Sequence, residues 1–204
     1  MPTRSTDLYG QQPESADAAL LLIDLINDLV FPGSEALANE AKRMAPGIRE
    51  LKLRAKAHGI PVIYVNDNFG RWRSDFAETI RHVIEDDTPG RPVADLLRPD
   101  RDDYFVLKPK HSGFFSTTLQ PLLSVLGIRT LILTGMAGNI CVLFTANDAY
   151  MRDYYLYVPE DCSASNTDDE NSWALQQMRG VLKADTRPAA ELDLERLARG
   201  LQMQ

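Results

Sequence analysis

Five short apolar runs recur along the chain, AALLLID (18–24), PVIYVN (61–66), DYFVLK (103–108), TLILT (130–134) and YYLYV (154–158), with a weaker sixth at VLKADT (181–186). The main runs are nearly continuous in hydrophobicity instead of alternating, which is the pattern of strands covered on both faces. The segments between them carry helical spacing. Residues 35–58 form a long amphipathic stretch that stops at Gly59, followed by 74–85, 117–126 (stopped by Gly127), 139–152 and 168–182. Strand and helix alternating in this way predict βαβ units, and so a mainly parallel sheet with helices on both sides. Residues 1–16 are polar and read as an N-terminal arm, with 17–204 as a single domain. The segment 67–102, rich in Asp, Arg, Pro and Gly, breaks the alternation and reads as a lid or an oligomer contact.

Composition narrows the partners. A chain of 204 residues is long enough for one domain that buries roughly 70% of its unfolded surface. A net charge of -7 without a basic stripe argues against nucleic acid or an anionic membrane as partner. Arg71, Arg73 and Arg81 are interrupted by Asp75 and Glu78 and read as a solvated face. The longest apolar run, AALLLI, is far short of the ~20 residues that span a bilayer. The N-terminus lacks the apolar core of a signal peptide, and 2 cysteines make no disulfide framework. A cytoplasmic protein in a reducing compartment is expected.

In open α/β sheets, ligands bind beyond the carboxyl ends of the strands. Asp24 ends the first run, Lys108 ends the third, and Cys141 follows the fourth at the start of a helix. A cysteine attacks as its thiolate, and a free thiol with a pKa near ~8.5 is mostly protonated at neutral pH. A helix N-terminus and a nearby ammonium both favour the anion. Asp24 suits the transfer of the thiol proton to a leaving amine. The small residues of GMAGN allow backbone N–H groups to approach an oxyanion. Taken singly, Cys141 reads more often as a small core hydrophobe, Asp24 as a turn cap and Lys108 as a surface residue. Their coincidence at three strand ends brings acyl transfer level with those plainer readings.

ALLLIDLINDLVFPG, VLKPKHSGFFSTTL and LILTGMAGNICVLFTANDAYMRDYYLYVPEDC, in this order over residues 17–186, resemble the isochorismatase-like cysteine hydrolase superfamily. Its members include nicotinamidases, N-carbamoylsarcosine amidohydrolases, biuret hydrolases and ureidoacrylate amidohydrolases. The resemblance implies a Rossmann-like, three-layer α/β/α sandwich on a six-stranded parallel sheet. It also implies a catalytic triad, with Asp24 in the I-D-x-x-N-D block, Lys108 opening the K-P-x-x-S-x-F block and Cys141 in the T-G-x-A-x-x-x-C-V block. It places a non-proline cis peptide at Met136–Ala137, turning the Ala137 N–H to join that of Cys141 in an oxyanion hole. Hydrolysis of a C–N bond in a small amide, ureido or carbamoyl compound through a thioester is the activity implied, in a homo-oligomer (a dimer or tetramer).

The chain departs from its relatives in places. Nicotinamidases carry an Asp and two or three His after the second strand that bind a metal, whereas here only Asp67 stands early and the next His is His82. No metal and no other cofactor is therefore expected. Ile26 stands where many relatives have Gln. True isochorismatases generally lack the cysteine, so Cys141 argues for attack on a carbonyl carbon. The alternatives are isochorismatase-type ether or ester hydrolysis without a covalent step, and a non-catalytic binding protein on the same fold. Substrate-binding candidates are Phe31, Asn66, Asn68, Phe69, Trp72, Arg73, His111 and Phe114. His58 and His82 read as structural or surface residues, and Cys162 as a structural thiol.

Overall fold

The computed structural model describes residues 15–70 and 75–201. Strand β1 (Ala18–Ile23) is central, and every residue in it is buried. It pairs in parallel with β2 (Val62–Asp67) on one side and β4 (Thr130–Met136) on the other. Beyond these lie β3 (Tyr104–Lys108) and β5 (Tyr155–Tyr157), giving the order β3-β2-β1-β4-β5, with β6 (Ser163–Ala164) beside the end of β4.

Period-two geometry sends alternate side chains of β1 to opposite faces. Ala18, Leu20 and Leu22 pack against helix α1 (Ser34–Ala57), which contributes Leu37, Ala41, Ile48, Leu51 and Ala55. Ala19, Leu21 and Ile23 pack on the other face against α4 (Leu119–Leu126), α5 (Leu143–Tyr150) and α6 (Asp168–Gly180). A three-layer sandwich results, and the unbroken apolar run of β1 is explained by cover on both sides.

Two expectations need correction. Residues 181–186 form no strand: Lys183 takes a left-handed φ of 58° after α6. Only Asp185 meets the sheet, through one bridge to Tyr157. The described part of 67–102 is not a lid. Helix α2 (Phe76–Glu85) is capped by the Asp75 carboxylate, which accepts from Glu78 N–H at 2.7 Å. Together with α3 (Arg91–Leu96) it buries Phe76, Val83, Val93 and Ala94 in the core. Gly90 packs so closely on the loop after β1 that a Cβ there would overlap the Asn27 carbonyl. Helix α3 and the C-terminal α7 (Leu194–Ala198) are additions to the sequence-based reading. Most of the N-terminal arm lies outside the described residues. Among the described residues no helix is long and apolar enough to cross a membrane.

Candidate active site

The carboxyl ends of β1, β3 and β4 converge. Gly135, at φ 119°, lies where any Cβ would overlap the Ile23 carbonyl, so a glycine lets β4 run close beside the end of β1. The next residue, Asp24, is left-handed (φ 53°) and its N–H donates to the Val65 carbonyl at 3.0 Å. Its carboxylate accepts from Asp67 N–H at 2.7 Å through Oδ1 and from Lys108 Nζ at 2.8 Å through Oδ2.

Lys108 is fully buried at the last position of β3, in register with Asp67 across β2. An ammonium has three protons to place and tolerates burial only when they find acceptors. Its Nζ lies 2.8 Å from Asp24 Oδ2, 3.5 Å from Cys141 Sγ and 3.6 Å from Asp67 Oδ2. Three acceptors from three elements therefore meet one cation.

Cys141 sits in a π-helical turn, Gly138–Val142, that leads into α5. The Met136–Ala137 peptide before it is cis. The Ala137 carbonyl accepts from Ile140 and Val142 N–H groups, both at 3.1 Å, and so passes over the Cys141 N–H that an α-helical turn would engage. A polar chain supports this turn from below. Asn139 N–H donates to Ser165 Oγ (3.0 Å), Ser165 Oγ donates to Asn171 Oδ1 (3.2 Å), and Asn171 Nδ2 donates to the Ser163 carbonyl (3.1 Å). A Cβ on Gly138 would displace the Asn171 side chain from this polar chain. Thr145 Oγ1 donates to the Cys141 carbonyl at 2.7 Å and accepts from Gly113 N–H at 3.0 Å, tying the loop after Lys108 to the helix that follows Cys141.

Burial dominates the electrostatics. It holds the Asp24 carboxyl above the ordinary carboxylate range despite Lys108 and Cys141. Burial lowers Lys108, but Asp24, Cys141 and Asp67 together keep its ammonium above the usual lysine value. The Cys141 thiol is pushed up to about 12 by burial and the Asp24 charge, which outweigh Lys108. The expectation that the helix start and the lysine favour a resting thiolate is therefore reversed. Burial favours the neutral thiol over the thiolate before attack.

The softer candidates divide. Phe31, Asn68 and Phe69 share a cavity of about 190 Å³ with Asp28, Glu78, Thr79 and His82. Asn66 is wholly buried and donates to the Ile26 carbonyl at 2.5 Å, so it braces the loop after β1, while its Oδ1 is buried without a hydrogen-bond partner among the described residues. Phe114 is a core residue: it packs on Tyr154 (centroids 5.9 Å apart) and lies beneath the Arg152 guanidinium. His111 is exposed and meets the Phe144 ring edge-on. Trp72 and Arg73 lie outside the described residues. His82 bridges Asp86 (2.6 Å) and Asp28 (3.3 Å), and these carboxylates raise its pKa. Both cysteines are free; Cys162 is buried in the α1-side core, whereas Cys141 packs against the other face.

Asp67 escaped the sequence-based reading as a site residue, although it ends a strand as Asp24 and Lys108 do. The second apolar run in the sequence ends at Asn66, one residue short of the strand. The Asp67 carboxylate faces an ammonium, a setting that repels a metal cation. Asp100, Asp102 and Asp103 also cluster, but Lys52 and Lys56 pair with them.

The isochorismatase domain family matches residues 18–187. The chain is 45% identical over 172 residues to the uncharacterized isochorismatase family protein YaaI of Bacillus subtilis, covering 83% of this chain and 93% of that protein. It is 30% identical over 178 residues to the ureidoacrylate amidohydrolase RutB of Yersinia enterocolitica, with 74% and 76% covered. Among solved structures, the N-carbamoylsarcosine amidase of Thermoplasma acidophilum superposes with a TM-score of 0.66 at 28% identity, over 87% of this chain and 99% of that one.

Proposed function

The chain belongs to the isochorismatase family of hydrolases, and from that premise we propose that it is a cysteine hydrolase that cleaves a C–N bond in a small amide, ureido or carbamoyl compound. The observation that carries this reading is the meeting of Asp24, Lys108 and Cys141 around one ammonium. The amidase and amidohydrolase names of its relatives supply the bond type.

In the mechanism, the Asp24 carboxylate takes the proton of the Cys141 thiol as the sulfur attacks the carbonyl carbon. The resting thiol and the basic, buried carboxylate suit a transfer made at the moment of attack. The oxyanion is received by the Ala137 and Cys141 N–H groups, the second of which the Ala137 carbonyl leaves unclaimed. Asp24 then protonates the departing nitrogen, the C–N bond breaks and a thioester remains. A water molecule gives a proton to Asp24 and attacks the thioester carbon. The C–S bond breaks, and the sulfur recovers its proton from Asp24.

Ammonia release is measured over a panel of amides and ureas, with native protein and with Cys141→Ala. Turnover is expected only in the native protein, with a Cys141 acyl adduct trapped by acid quench and seen by mass spectrometry. Hydrolysis that persists in the Ala variant would remove the nucleophile assignment and leave the non-covalent, isochorismatase-type route.

A further inference from the structure

Lys108 has one more carboxylate than the proposed mechanism uses. Asp67 Oδ2 lies 3.6 Å from Nζ, and Asp67 Oδ1 is anchored by the Phe69 N–H at 2.6 Å. The Asp67 N–H in turn holds Asp24 Oδ1. One residue thus touches both the cation and the proton carrier, by side chain and by main chain. Its side chain is 31% exposed, while those of Lys108 and Asp24 are 0% and 6% exposed.

The charges in the mechanism change around Lys108. In that mechanism the ammonium first faces a charged Asp24, 2.8 Å away. In the tetrahedral intermediate Asp24 carries the thiol proton and the sulfur is bonded to carbon, so neither offers Lys108 an anion. A buried ammonium without a charged partner tends to lose its proton or its place. Asp67 is the carboxylate that changes neither bond nor proton in that step. A partly hydrated carboxylate is also cheaper to keep charged than a sealed one.

We propose that Asp67 is a positioning residue of this site: its carboxylate keeps a charged partner on the buried Lys108 while Asp24 is protonated, and so holds the ammonium between Asp24 and Cys141 through the reaction. The proposal rests on the reading of Asp24 as proton carrier. Among the described residues, the charged and titratable groups within reach of Lys108 are Asp24 after β1, Asp67 on β2 and Cys141 on the π-helical turn.

The test uses the full chain with Asp67→Asn and Asp67→Glu, and iodoacetamide as a probe that needs no known substrate. Removing the Asp67 charge turns the ammonium wholly onto Asp24 and Cys141. The Asn variant should therefore alkylate Cys141 at least about threefold faster than native at about pH 8, a shift of about half a pH unit. The same variant should lose roughly tenfold in kcat, with KM within about twofold, on the amide or urea that the native protein turns over. The Glu variant keeps the charge and should keep the native alkylation rate. A more reactive thiol joined to slower turnover is a pairing that simple loss of packing does not produce. Should the Asn variant fail to fold, judged by circular dichroism, Asp67→Ser supplies the neutral side chain. An unchanged or slower alkylation rate in the folded neutral variant overturns the proposal, and so does undiminished kcat. Persistent turnover in Cys141→Ala instead overturns the parent reading, and the alkylation arm still judges Asp67.

Discussion

Replacing Lys108 by Met removes the ammonium but keeps the length and apolar stem of the side chain. The buried Asp24 carboxylate is left with the Asp67 N–H as its principal remaining support. Lys108 is wholly buried and its Nζ lies 2.8 Å from Asp24 Oδ2, so the loss belongs to the class of broken buried ion pairs, about 3–5 kcal/mol. In a chain of this size each kcal/mol moves the melting temperature by about 2–4 °C, which gives a fall of about 6–20 °C at about pH 8. Its pH dependence has a definite sign. Burial already holds Asp24 above the carboxylate range, and without the cation it rises further. A carboxyl whose folded-state pKa exceeds its unfolded value costs stability as pH rises through that folded value, so the deficit should shrink from about pH 8 to about pH 5. Asp24→Asn added to Lys108→Met should restore most of the loss, because no buried charge then lacks a partner. Scanning calorimetry reads all three quantities. A Lys108→Met protein melting within about 2 °C of native across this range would refute the pair as a buried support.

Two further predictions follow from the charges. The Cys141 thiol, pushed up to about 12, should react with iodoacetamide at least about tenfold more slowly than a free cysteine at about pH 8, and its rate should still climb with pH at about pH 9. A rate that levels off near neutrality would mean a resting thiolate. His82, raised by Asp86 and Asp28, contributes stability that is present below its unfolded value of about 6.5 and is lost as pH rises through its higher folded value. The difference in melting temperature between native protein and His82→Gln should therefore be largest in mild acid and smaller in alkali, and a difference independent of pH would contradict it.

What the sequence disclosed depended on how local each signal was. The runs ending at Asp24 and Lys108 and the run before Cys141 are read from adjacent residues, and the strand-end rule was enough to select side chains that prove to be in contact. The short β6 pair Ser163–Ala164 carries no periodicity, because two residues cannot display one. The apolar run 181–186 imitated a strand that the left-handed Lys183 prevents. Helix α2 is legible as the segment 74–85, whereas α3 is obscured because its six residues, RPVADL, interleave apolar positions with Arg, Pro and Asp. The burial of Asn66 on β2 and of Phe114 on the turns after β3 was hidden for a different reason: direction, set by register for the strand residue and by the path of the loop for the other, decides whether a side chain meets solvent or core. The reversal at Cys141 has the same origin. A residue's helix position is visible in sequence, but the degree of its burial is a property of the packed whole, and burial outweighed the ammonium.

The sheet keeps the two sulfurs on opposite sides, Cys162 in one layer of the core and Cys141 against the other. Peroxide that reached Cys141 would yield a sulfenic acid with no resolving thiol in its own chain to condense with. Recovery would then depend on a thiol supplied by another molecule.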